Sequence, residues 1–312
     1  MRLVRVVGPL LIVSITWSFS LPGNRGIRYK EPVFSRVRVT PNVVYGQNTN
    51  QQGKTEELLL DVYEPESDAE TNRPVMILAH GGGFIFGDKS EFTQLASYFA
   101  RAGYVVASIN YRLLDFNPST PEIRQGILEA VYDMKAAVRY FRKTAGIENP
   151  YRINPQQIFV GGYSAGAVTA LHCAYLSSAG EVKAIGGDVL YQYARRHNGL
   201  AGDSGNPGPS SAVQGVINIS GALANVRLMN PGEPPVYSIH GTADEIVPFR
   251  NGASSESGVQ TQGSGLIHEY AQQQGMKSVL NAVEGGDHSA FDDCGNCPGN
   301  ILVFLYNQLF YP

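Results

Sequence analysis

Charge is scarce in this chain. Only 16% of its 312 residues are charged, against the ~25% usual in globular proteins. The signs nearly cancel: 24 Lys and Arg stand against 27 Asp and Glu, a net charge of −3. The basic footprint of a nucleic-acid binder is therefore missing, and so is an acidic disordered tail. Internal repeats and low-complexity blocks are absent. Past the N-terminus, no apolar run approaches the ~20 residues that a bilayer span requires. Three cysteines are too few for a scaffold built on disulfides. Glycine, by contrast, is plentiful at 35 residues. With no G-X-Y period this excludes collagen and implies many turns and close backbone approaches.

The two ends carry local signals. Arg2 and Arg5 precede an apolar run from Val6 to Trp17, and Ser18 and Ser20 stand at −3 and −1 of a cleavage site before Leu21. This is the pattern of a signal peptide over residues 1–20, leaving 21–312 as a single domain. A first strand and an uncleaved anchor are the competing readings. A leader implies a secreted or periplasmic protein with no membrane span in the mature chain. Near the other end, Cys294 and Cys297 form a C-x-x-C. Export favours a local disulfide there. Free thiols and redox or metal chemistry are the alternatives, although a zinc site needs two further ligands and none stands near.

Between the ends, Val37–Tyr45 and Leu58–Val62 read as an antiparallel hairpin at a sheet edge. From Pro74 onward, short apolar runs alternate with amphipathic stretches. The runs Val75–Ala79, Tyr104–Ile109, Ile158–Val160, Val213–Ile219, Val236–Ile239 and Ser278–Val283 are continuous, as expected of strands buried on both faces. Helices are expected after a cap at Ser90, from Thr120 and Pro121 to about Gly146, after Ser164, near Gly265–Gly275 and over Asn300–Leu309. Repeated strand–helix–strand units give a mostly parallel sheet covered on both faces. Gly186–Ser211, with Tyr191, Tyr193, Arg195, Arg196 and His197, breaks the rhythm. It reads as an irregular segment, either a small lid or pocket wall, or a mobile surface loop.

Chemistry concentrates in four places. Gly162-Tyr163-Ser164-Ala165-Gly166 follows a strand and opens a helix, the context of a nucleophile elbow. His80-Gly81-Gly82-Gly83-Phe84 follows another strand, and its glycines expose backbone N–H groups able to hold an oxyanion. No Lys-Ser/Thr follows at the spacing a P-loop demands, which argues against a phosphate-cradling loop. A serine nucleophile needs a base and an orienting acid. His288, in Glu284-Gly285-Gly286-Asp287-His288, stands just after the last strand, at the sheet edge where ligand sites gather. The acid belongs between serine and histidine in the chain. Asp244, in His240-Gly241-Thr242-Ala243-Asp244, is the candidate, with Glu245 as its neighbour and rival.

These motifs, with Asn110-Tyr111-Arg112 after a strand and Val247-Pro248 after the acid, resemble the α/β-hydrolase superfamily. The likeness is to its HGGG carboxylesterases, of the hormone-sensitive-lipase-like and bacterial feruloyl- or acetyl-esterase-like branches, and it covers roughly residues 58–309. It implies a serine carboxylesterase that needs neither metal nor organic cofactor. Its oxyanion donors would be the N–H groups of Gly82, Gly83 and Ala165. Its substrate would be a small-molecule or polymer-attached ester. A serine peptidase or acylaminoacyl hydrolase uses the same triad, and a non-catalytic binding protein of this fold is the third reading. Ser220–Pro235 is too short for a large cap domain. A short-acyl pocket is therefore expected, walled by Phe84, Phe86, Tyr163 and Tyr191.

Overall fold

The computed structural model describes residues 28–311; the leader expected over residues 1–20 lies outside them. In chain order the elements are β1 (Val37–Thr49), β2 (Thr55–Pro65), β3 (Arg73–Ala79), α1 (Thr93–Arg101), β4 (Val105–Ile109), α2 (Thr120–Ala145), β5 (Ile153–Tyr163), α3 (Ala165–Tyr175), α4 (Ala179–Arg196), β6 (Val216–Ile219), β7 (Ala222–Leu223), β8 (Val236–Gly241), β9 (Asn251–Ala253), β10 (Gln260–Gly263), α5 (Ser264–Gln273), β11 (Ser278–Val283) and α6 (Cys297–Phe310). Eight strands form one sheet in the order β1-β2-β4-β3-β5-β6-β8-β11. β2 pairs antiparallel with β1 and β4. The remaining pairs run parallel, as helical crossovers require.

Period-two alternation divides the core between the two faces. In β3, Val75, Ile77 and Ala79 pack with α2, α3, α4 and α5 on one side. Met76 and Leu78 pack on the other side with Phe99 of α1 and with Ile301, Leu302 and Leu305 of α6. Because neighbouring strands run parallel, their carboxyl ends open on one edge. The loops after β3, β5, β8 and β11 therefore converge there, and these loops carry the four motifs. The long helix α2 begins as its sequence dictates, with Ser119 and Glu122 in a reciprocal capping box and Pro121 in the first turn.

Four expectations need correction or extension. Gly186–Ser211 is not irregular throughout: its first part belongs to α4, so Tyr191, Tyr193, Arg195 and Arg196 are helical. Ser178 and Glu181 cap that helix, Val182, Leu190 and Ala194 are buried, and Gly187 (φ 68°) kinks it. The sparse apolar face and the adjacent glycines hide it in the sequence. Second, Asp88 and not Ser90 provides the cap before α1. It opens a short 3-10 turn over Lys89–Phe92 whose first N–H groups it satisfies. Third, β11 lies at the sheet edge with alternating exposure, and so is not buried on both faces. Fourth, β7, β10 and β9 form a small second sheet that the sequence does not announce.

Candidate active site

Ser164 sits where β5 gives way to α3, with φ 54° and ψ −119°. That backbone conformation is unfavourable for any residue with a Cβ. The flanking glycines make it accessible. A Cβ on Gly162 would strike Gly166 and the Ala79 carbonyl, and one on Gly166 would strike that same carbonyl. Only hydrogen at both positions lets α3 approach β3 this closely. Ser164 N–H donates to the Ile219 carbonyl at 2.9 Å, pinning the turn to β6.

A continuous hydrogen-bonded series runs from this serine. Ser164 Oγ lies 2.9 Å from His288 Nε2, and His288 Nδ1 lies 2.7 Å from Asp244 Oδ2. A carboxylate only accepts, so Nδ1 carries the proton and Nε2 is left as acceptor for the serine hydroxyl. Asp244 Oδ1 accepts from the N–H groups of Ile246 and Val247, at 2.8 and 2.9 Å. Burial pushes the Asp244 carboxyl up, but hydrogen bonds from His240 and His288 and the N–H of Val247 outweigh it. They hold the group well below the ordinary carboxylate range. Glu245 is exposed and turned elsewhere.

Sequence reasoning overlooked the surroundings of this series. His240 Nε2 is 3.0 Å from Asp244 Oδ2 and 3.0 Å from the Val247 carbonyl. Both neighbours are acceptors, so Nε2 bears a proton and Nδ1 accepts from Ser264 Oγ at 2.8 Å. Asn218 donates to Ser264 Oγ and to Ser238 Oγ. Asp244 is thus clamped by two imidazoles and braced from β6, β8 and α5. His240 stands four residues before Asp244 in the same motif, a spacing that could have flagged it. On the other side, the His288 carbonyl accepts from Ser220 Oγ at 3.0 Å and from the Tyr163 hydroxyl at 3.3 Å. These bonds fix the loop that carries His288. His172, by contrast, is buried inside α3, and burial pushes it down to about 4; it accepts from Ala224 N–H.

The glycine loop faces Ser164. Gly82, Gly83 and Phe84 have φ values of 97°, 59° and 66°, a left-handed run that glycine adopts at little cost. A Cβ on Gly81 would lie 2.9 Å from the Tyr163 ring. The Tyr111 hydroxyl donates to the carbonyls of His80 and Gly81, holding them away from the cleft. Among the described residues, the N–H groups of Gly82 and Gly83 bond to no backbone acceptor. Ala165 N–H, in the first turn of α3, has no partner within its helix.

A crevice of about 50 Å³ opens at Ser164, lined by Phe84, Ile127, Val168, Val247 and Val259 among others. Of the four expected walls, Phe84 belongs to this lining. Phe86 is an exposed side chain outside this lining. Tyr163 packs against His288, with ring centroids 5.1 Å apart, and lines a wider groove beyond it. Tyr191 lies on α4, near Lys183. Cys294, in the loop after His288, and Cys297, the first residue of α6, stand at disulfide distance, with Cα atoms 5.7 Å apart.

Residues 60–201 match the BD-FAE family model. The chain is similar to a probable isoprenylcysteine alpha-carbonyl methylesterase of Oryza sativa subsp. japonica, with 33% identity over 47% of this chain and 30% of that protein. It is also similar to the isoprenylcysteine alpha-carbonyl methylesterase of Arabidopsis thaliana, with 24% identity over 88% of this chain and 64% of that one. It thus spans less than two thirds of the length of either relative. Among solved structures, esterase 2 of Thermogutta terrifontis, in a form phosphoramylated by tabun, superposes with a TM-score of 0.62 at 21% identity, covering 89% of this chain and 95% of that one. A butyrate-bound form of the same esterase gives 0.61 at 20% identity, over 88% and 92%. The fold is the α/β-hydrolase fold.

Proposed function

We propose that the protein is a serine carboxylesterase acting on short-chain esters. The observation that carries this reading is the unbroken series Ser164–His288–Asp244 beside backbone N–H groups without acceptors. In the reaction, Ser164 Oγ attacks the ester carbonyl carbon while its proton passes to His288 Nε2. The carbonyl oxygen becomes an oxyanion and receives hydrogen bonds from the N–H groups of Gly82, Gly83 and Ala165. Each such donor is worth ~2.7–4 kcal/mol in comparable sites. As the carbon–oxygen bond to the alcohol breaks, His288 returns the proton to the leaving oxygen, and an acyl group stays on Ser164. Water then attacks the acyl carbon, giving its proton to His288, and the carboxylic acid departs as Ser164 is reprotonated. Asp244 stays ionised throughout, orienting the imidazole and stabilising its cation.

Acyl length is argued from the crevice. Each methylene gains ~0.8 kcal/mol only when it leaves water, and about 50 Å³ beside Ser164 shelters few of them. The relative crystallised with butyrate supports the same size of acyl group. In a series of p-nitrophenyl esters, kcat/KM should peak between roughly C2 and C6 and then fall. A palmitate ester cleaved faster than the butyrate, below its aggregation limit, would contradict this. We further infer that residues 1–20 are an export leader. Edman sequencing of exported protein should then begin at Leu21; a retained Met1 would refute the leader.

A further inference from the structure

We propose that the site favours acyl groups carrying a cation, and that Glu256 selects them; this rests on the esterase reading above. Glu256 sits at the tip of the turn joining β9 to β10. That turn is closed by Ser254 N–H donating to Val259 O at 3.0 Å and Gly258 N–H donating to Ser254 O at 2.8 Å. It is tied to the acid's own loop by Ser255 N–H donating to Ile246 O at 3.1 Å. The tip therefore has a fixed place relative to Asp244. Its carboxylate reaches across the crevice to the oxyanion loop: Glu256 Oε2 lies 2.8 Å from where a Cβ on Gly83 would stand. Glu256 lines the same small crevice as Ser164, Gly83 and Phe84.

No cation answers this carboxylate. Among the described residues, Glu256 joins none of the ion pairs, whereas Glu269, on α5, is paired with Arg250. Glu256 is the single charged side chain in the lining of its crevice; Arg124 lines the neighbouring pocket, which shares Ile127, Val168, Val259 and Thr261 with it. A bare carboxylate beside Gly82 and Gly83 works against the chemistry proposed there, because the transition state brings a second negative charge to those N–H groups. A substrate cation lodged between the two resolves the conflict. The acyl crevice is the place for it, since that is what Glu256 lines. An ammonium two carbons from the carbonyl, as in a β-alanyl ester, occupies the volume of a butyryl chain and exchanges its terminal methyl for the charge.

Ethyl β-alaninate and ethyl butyrate are near-isosteric, and monoethyl succinate carries the opposite charge. Their kcat/KM values, measured in wild type, E256Q and E256D at low and high salt, test the proposal. Glu256 is exposed on a turn, so E256Q should fold normally. E256Q should lower the β-alaninate to butyrate ratio roughly three- to tenfold, the range from exposed to partly desolvated ion pairs. It should raise turnover of the succinate, and E256D should recover part of the ratio. Salt should compress the wild-type ratio toward that of E256Q. Equal ratios in wild type and E256Q, or an equal fall on all three esters, would overturn the selectivity while leaving the esterase reading intact. Failure of the wild type to cleave any of the three would overturn the esterase reading itself, and the selectivity with it.

Discussion

The two adjacent carboxylates, Asp244 and Glu245, show how much a single position decides. Asp244 accepts from four donors, two backbone and two imidazole, while Glu245 points to solvent. Asp244→Asn removes the charge that fixes the His288 tautomer and should lower kcat by ~10⁴. Glu245→Gln should leave kcat near that of wild type, and steady-state hydrolysis of p-nitrophenyl butyrate reads both. Both carboxylates stand together in the sequence, and the order serine, acid, histidine cannot separate them. What separates them is the clamp: His240 stands four residues before Asp244, but its brace of Ser264 and Asn218, 46 residues apart in the chain, leaves no local trace. The role of Glu256 escapes sequence reading for the same reason: its partner, Gly83, lies on a distant loop.

Elements were legible in proportion to their length and to the strength of their end signals. The buried strands β3, β4 and β8 are continuous apolar runs, and α2 has a proline, a capping box and a terminal glycine. β7, β9 and β10 have two to four residues each, too few for alternation to register. α4 presents only three buried side chains across a kink. The misassigned cap before α1 has a testable consequence. Hydrogen bonds, first from Ser90 and then from Asn110, hold the Asp88 carboxyl down to about 2 from 3.8. A depressed carboxylate stabilises the fold fully above its unfolded value and loses that contribution as pH falls through its folded value. Asp88→Ala should therefore destabilise by ~1 kcal/mol at neutral pH. The gap to wild type should close between about pH 4 and pH 2, as denaturant melts at several pH values will show. A gap that stays constant across that range would remove the charged cap from the explanation.

At the scale of the molecule, the parallel sheet does most of the assembly. Loops 80–87, 162–166, 241–248 and 284–297 leave the same edge because β3, β5, β8 and β11 run the same way. The sequence alone is enough to place the four motifs on that edge, since each follows an apolar run and has glycine as its first or second residue. It is not enough to shape the pocket, because the β9–β10 turn reaches the crevice through long-range packing. The proposed chemistry depends on one atom, Ser164 Oγ, and paraoxon tests it most directly by transferring a diethyl phosphoryl group to an activated serine. Peptide mass spectrometry of the treated, folded protein should find one phosphoryl group per chain, on the peptide carrying Ser164, and none in Ser164→Ala. Phosphorylation at another serine, or equal labelling of wild type and Ser164→Ala, would contradict the assignment of Ser164 as the nucleophile.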